Sequence, residues 1–240
     1  ADIEGLAKTI RREPPPPPPA PPARSASRGR ASQTSEAKAG PDRGALSVPG
    51  TESDRFRANI DVAADFAASV GCKALNALYG NRVDGVDPAA QDELAAESIG
   101  LAAKGVASFG GTVLIEPVSG PKPYPLRTAA DAVSVVRQAR AAGAANVGFL
   151  CDLYHLASNG YDIDAAIAGY AEYIAHVQIA DAPGRGEPGS GQLDLDRYVA
   201  DLARRGYRGW VSLEYKPTGT TEASLTWLPR ARRGQTKEQS

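Results

Sequence analysis

No stretch of the 240-residue chain approaches the roughly 18 consecutive apolar residues that a membrane helix needs, so no membrane span is expected. Charge of one sign is missing too. The 27 basic and 28 acidic side chains leave a formal net charge of −1. Nucleic-acid binders usually carry a basic stripe, so no nucleic-acid partner is expected. Cysteine is scarce. Cys72 and Cys151 stand far apart in apolar runs without metal-type spacing. They read as buried, reduced thiols of a cytoplasmic protein. The opening residues do not read as a signal peptide. No aromatic residue precedes Phe56.

What is present is a hydrophobic content of 42%, enough to bury a core over most of the chain. The length suits one large domain or two small ones, and a single (β/α) barrel falls within it. The average hides a seam. Residues 14–22 read PPPPPPAPP, and ARSASRGRASQTSEAKAG (23–40) follows. So few apolar side chains cannot offset the entropy of ordering. The segment over 11–50 is therefore expected to be disordered and loop-like, with its prolines in polyproline II. It reads as a linker, as a ligand for an SH3-like module, or as a stretch foreign to the fold.

From Ser53 the texture changes. Apolar positions recur at helical spacing over 53–69, with Thr51 or Ser53 as the cap. CKALNALYG (72–80), GTVLIEPV (111–118), VGFLCDLYH (147–155, at its start), AHVQIAD (175–181) and GWVSLEYKP (209–217) predict strands. Helices are predicted over 88–108, 128–142, 163–172, 194–205 and 221–233, several closed by glycine. Strands alternating with helices imply right-handed βαβ units and a parallel sheet. The strands are continuous apolar runs, as expected when both faces are covered.

Two of these runs are twins. LIEPV (114–118) and SLEYKP (212–217) each deliver a glutamate and then a proline. Asp152 and Gln178 end two runs between them, giving spacings of 36, 26 and 36 residues. A barrel of about 250 residues repeats roughly every 31, so one such residue per unit fits. A single acid at a strand end is as often only a helix cap. Four oxygen-bearing side chains on one face, three of them acidic, need positive charge between them, and oxygen ligands suit magnesium or manganese. Of the two histidines, His155 stands beyond a strand end and is the better functional candidate. His176 reads equally well as a satisfied core residue. The loop DAPGRGEPGSGQ (181–192) carries Arg185 between two glycines. A guanidinium there could clamp a carboxylate through two prongs; an ordinary flexible loop is the competing reading.

ALNALYGNR (74–82), LIEPVSG (114–120), CDLYHLASNG (151–160), HVQIADAPGRGEPGSG (176–191) and GYRGWVSLEYKP (206–217) together resemble the hydroxypyruvate isomerases. These are sugar isomerase/epimerase-like TIM barrels related in fold to xylose isomerase and to endonuclease IV. The resemblance runs from about residue 40 to residue 230 and implies an aldose–ketose type isomerisation, hydroxypyruvate to 2-hydroxy-3-oxopropanoate (tartronate semialdehyde), in glyoxylate metabolism. It implies Glu116 and Glu214 as the acid/base pair working through a metal-stabilised enediolate. The implied ligands of a divalent cation (Mg or Mn) are Glu116, Asp152, Gln178 and Glu214, and His155 and Arg185 fall on substrate-contacting positions. The expected partner is a small hydroxy-keto acid. Related barrels act as 2-oxo-tetronate isomerases, ketose 3-epimerases or repair nucleases. The last use a histidine-rich cluster that two histidines do not supply.

The sequence departs from the family in two places. Gly186 stands where the family's GRHEPG pattern has histidine. The front also differs: ADIEGLAKTI (1–10) resembles only the tail of the barrel's second helix, and the proline run stands where the third strand is expected. A reading-frame slip across residues 12–38 would produce that pattern. The expectation is an incomplete TIM barrel over 51–233, with strands four to eight present, the first three missing, and a tail over 234–240. Open sheet edges favour pairing with another copy. A missing pocket wall lowers the expected activity, down to a non-catalytic remnant that binds through its proline-rich arm.

Overall fold

A computed structural model describes residues 46–120 and 123–228. The expectations for the remnant helix over 1–10, the proline-rich segment, the frame slip over 12–38 and the tail over 234–240 fall outside those residues. Five strands are described: β1 (Ala74–Asn76), β2 (Thr112–Ile115), β3 (Val147–Asp152), β4 (Ile174–Ile179) and β5 (Val211–Leu213). They alternate with helices α1 (Thr51–Ser69), α2 (Pro88–Ala107), α3 (Ala129–Ala141), α4 (Leu153–Ser158), α5 (Ile163–Tyr170), α6 (Leu195–Arg204) and α7 (Thr221–Ser224). All pairings are parallel, in the order β1-β2-β3-β4-β5. Sequential parallel strands with helical crossovers make an incomplete TIM barrel, as expected.

Side-chain alternation divides the sheet into two faces. Val113, Ile115, Val147, Phe149, Cys151, Val177, Ile179 and Val211 are buried in one apolar cluster with Ile99 and Val106 of α2, Val133 and Val136 of α3, Ile167 of α5 and Leu202 of α6. The other face carries Glu116, Asp152, Gln178, Ser212 and Glu214. Asp152 lies opposite Gln178, and Gln178 opposite Ser212. The β3–β4 register shifts by one after Phe149: Phe149 pairs with Ile174, but Leu150 pairs with His176. The extra residue, Ala175, is a β-bulge that brings His176 and Gln178 onto the face of Leu150 and Asp152.

The helix starts follow local chemistry. Asp87, Asp162 and Asp194 cap α2, α5 and α6, and Thr128 with Asp131 forms a capping box on α3. α1 departs from expectation. Gly50 occupies its N-cap with no side-chain cap, and the Ser53 hydroxyl donates to the Gly50 carbonyl at 2.9 Å. Cys72 is exposed rather than buried, because it lies in the turn leaving α1; Cys151 is buried, and burial pushes its thiol pKa up. Among the described residues β1 and β5 each pair on one side only, and they span three residues each, shorter than their apolar runs. The expected helix over 221–233 is a single turn within the described residues.

Gly148 lies on the site face of β3, where an added Cβ would collide with the Cβ of Ala175 at the bulge. Neither atom is the end of a flexible chain. Gly148→Ala is expected to destabilise the fold by about 1–3 kcal/mol through overpacking. Urea denaturation measures this, and an unchanged midpoint would show that the bulge yields freely.

Candidate active site

The buried carboxylate of Asp152, 1% exposed, is the centre of the site. It does two jobs. Oδ1 accepts the His155 backbone N–H at 3.0 Å and so caps α4, a helix that follows the strand without a loop. Oδ2 faces the His155 ring, with Nε2 3.9 Å away. Glu116, 4% exposed at the end of β2, places Oε1 3.8 Å from the same nitrogen. Ligand atoms of Glu116, Asp152 and His155 lie within 4.8 Å of one another and could hold a metal ion. Glu214 arrives just beyond β5, close enough to Asp152 for its charge to raise the Asp152 carboxyl.

Burial pushes the Asp152 carboxyl well above its ordinary range. The His155 backbone N–H pulls the other way, and the neighbouring Glu116 and Glu214 raise it further. Gln178, paired with Asp152 across the β3–β4 ladder, has a buried Oε1 without a hydrogen-bond partner. Excess negative charge and an unused carbonyl oxygen thus meet at one place, and both ask for a cation.

The ring of His155 is oriented from behind. The Ser119 backbone N–H donates to Nδ1 at 3.0 Å, and the Ser119 hydroxyl lies 2.7 Å from the same atom. A backbone N–H can only donate, so Nδ1 presents its lone pair. The ring proton then sits on Nε2, towards the two carboxylates. In that tautomer Nε2 is a donor and not a metal ligand. His176 stands apart, 2.9 Å from the Ser212 hydroxyl, and burial lowers its pKa.

Arg185 reaches the site from the loop after β4. Its Nη2 lies 3.0 Å from Glu214 Oε1, and its guanidinium lies over the Tyr154 ring, 5.2 Å from the centroid. The structure therefore gathers Glu116, Asp152, His155, Gln178, Arg185 and Glu214 at the C-terminal ends of β2 to β5. Glu214 is the most open, with 45% of its side chain exposed.

Sequence reasoning missed four residues here. Asn76 Nδ2 donates to Glu116 Oε2 at 2.6 Å. It ends β1 as the others end their strands, but the apolar run over 72–80 continues past it and hides the signal. Tyr124 donates to the Glu116 carbonyl at 3.1 Å and accepts the Tyr79 N–H. Ser119 and Asp181 gave no periodic signal, because their work is hydrogen bonding to residues remote in sequence.

Residues 30–231 match the family model described as xylose isomerase-like TIM barrel. The chain is 57% identical over 198 residues to a Streptomyces coelicolor protein named "Putative hydroxypyruvate isomerase", covering 81% of this chain and 71% of that one. It is 31% identical to the hydroxypyruvate isomerase of Escherichia coli, covering 78% and 72%. It is 32% identical to the 2-oxo-tetronate isomerase of Cupriavidus necator, covering 78% and 71%. Among solved structures, a Brucella melitensis protein described as AP endonuclease, family 2, is similar, with a TM-score of 0.71 and 34% identity over 77% of this chain and 70% of that one.

The raised carboxyl of Asp152 has a consequence for stability. Its neutral form favours folding, so that contribution is full below the ordinary value of 3.8 and is lost as pH rises through the raised folded value. In chelator, Asp152→Asn keeps a cap acceptor and removes the charge. It is expected to match the wild-type melting temperature near pH 4 and to exceed it at neutral pH. Parallel melting curves for the two proteins across that range would contradict the assignment.

Proposed function

We infer the reaction from one premise: the chain belongs to the xylose isomerase-like TIM-barrel family, and its curated relatives are isomerases. We propose that it interconverts hydroxypyruvate and 2-hydroxy-3-oxopropanoate. The observation that carries this reading is the strand order. Glu116 comes from β2 and Glu214 from β5, so two carboxylates flank the Asp152–Gln178 pair from opposite sides.

Moving the carbonyl by one carbon requires a proton to leave the hydroxymethyl carbon and a proton to reach the former ketone carbon. Between the two steps lies an enediolate. One glutamate takes the proton from C3 as general base, the other delivers a proton to C2 from the facing side, and the proton of the C3 hydroxyl passes to the C2 oxygen, which leaves an aldehyde at C3 and a hydroxyl at C2. The Nε2–H of His155 donates to a substrate oxygen as negative charge develops there. Arg185 turns its remaining N–H groups to the substrate carboxylate while Glu214 holds Nη2.

The donors fit a divalent cation. Glu116, Asp152, Gln178 and Glu214 offer an all-oxygen set suited to Mg or Mn, and the partnerless Gln178 Oε1 is in place for it. When bound, the cation supplies positive charge against the enediolate oxygens.

A second reading keeps the chemistry and lengthens the substrate to a 2-oxo-tetronate, because the Cupriavidus necator relative is as similar as the Escherichia coli one. A substrate panel with added Mn²⁺ separates the two. A nuclease reading is weakened by the net charge of −1 and by a centre with one histidine.

Glu116→Gln and Glu214→Gln are each expected to lower turnover about 10²–10⁴-fold with the circular-dichroism spectrum unchanged, since shape is kept and the acid/base group is lost. Near wild-type turnover in either variant sinks the two-glutamate mechanism. Arg185→Lys keeps the charge but loses the fork, so KM for hydroxypyruvate is expected to rise much more than kcat falls. An unchanged KM would return Arg185 to the loop surface.

A further inference from the structure

The loop after β4 is more tightly built than its glycine content implies. Asp181, 1% exposed, accepts three backbone N–H groups: Ala182 at 2.8 Å and Leu193 at 2.9 Å on Oδ1, and Gly189 at 2.9 Å on Oδ2. These donors span the loop from its first residue to its last. The Asp181 backbone closes the same ring, its N–H donating to Gly186 O at 2.9 Å and its carbonyl accepting from Arg185 N at 3.0 Å. Gly191 packs so closely that an added Cβ would lie 2.5 Å from both Asp181 Oδ1 and Ala182 O.

Arg185 sits at the tip of this ring with φ 61°, a left-handed conformation that a side chain other than glycine rarely holds without support. Its carbonyl accepts the Lys216 N–H at 2.7 Å, which ties the tip to the segment after β5. Glu187, two residues on, accepts both the backbone N–H and the hydroxyl of Thr218, at 3.0 and 2.6 Å. A guanidinium on a rotamer-rich side chain is useful to a substrate only if its backbone is fixed.

We propose that Asp181 is the positioning residue for Arg185: its buried carboxylate gathers the loop's N–H groups and so holds the arginine in its left-handed conformation against Glu214 and Tyr154. Asp181 touches no reacting atom. The consequence for substrate binding rests on the proposed function; the clasp itself does not. Removing it displaces Arg185 and weakens capture of the carboxylate without altering the acid/base pair.

Two measurements test this on the full chain. In the first, trypsin cleavage after Arg185 is mapped by mass spectrometry. The wild-type Arg185–Gly186 bond is expected to resist, and Asp181→Asn to be cut there first. Gly191→Ala, which keeps the carboxylate but crowds it, is expected to behave likewise. Equal cleavage rates in all three proteins overturn the clasp. In the second, hydroxypyruvate binding is measured for wild type, Asp181→Asn, Arg185→Ala and the double variant. Asp181→Asn is expected to weaken binding by up to about 100-fold, with KM moving more than kcat, and to add nothing once Arg185 is gone. Losses that multiply in the double variant overturn the role, because Asp181 would then act on the site independently of Arg185. If wild type binds no hydroxypyruvate, the substrate reading fails and the proteolysis still decides Asp181.

Discussion

Two buried carboxylates, Glu116 and Asp152, meet the more open Glu214, and the rest of the site is arranged around that electrostatic problem. Asp152 is almost wholly removed from water, with Glu116 and Glu214 beside it. A buried charge without compensation is too costly to persist by accident. The site meets the cost in pieces. A helix N-terminus donates to Asp152, Asn76 donates to Glu116, His155 turns its Nε2–H towards both acids, and Arg185 pairs with Glu214. The remaining deficit, together with the partnerless Gln178 oxygen, is the physical case for a divalent cation.

The fold sets this up through alternation. One face of the parallel sheet is an unbroken apolar layer under the helices, so the polar residues must take the other. The bulge at Ala175 matters because a single-residue slip reverses every side chain beyond it. Without it, the sequence of β4 would send Gln178 into the apolar layer and His176 with it. Gly148 makes room for that bulge on the neighbouring strand.

Much of this was legible in the chain. The apolar runs gave the five strands and their parallel order, and the spacing of Glu116, Asp152, Gln178 and Glu214 gave the oxygen-bearing side chains of one face. What could not be read was anything carried by a partner remote in sequence. The Ser119–His155 hydrogen bond spans 36 residues and the Asn76–Glu116 bond spans 40. The partners of Asp181 are backbone N–H groups, which no composition reveals. The six-residue α4 is too short for a periodic signal; its cap is Asp152, whose two oxygens allow both capping and ligation.

The central claim is that one glutamate takes a proton from C3 of hydroxypyruvate and the other delivers a proton to C2, at a cation-dependent site. The direct measurement is nuclear magnetic resonance of hydroxypyruvate incubated with the purified chain in D₂O, with Mg²⁺ or with chelator. The account predicts 2-hydroxy-3-oxopropanoate carrying solvent deuterium on C2, formed only with the cation. Conversion without deuterium on C2, or equal conversion in chelator, would contradict it.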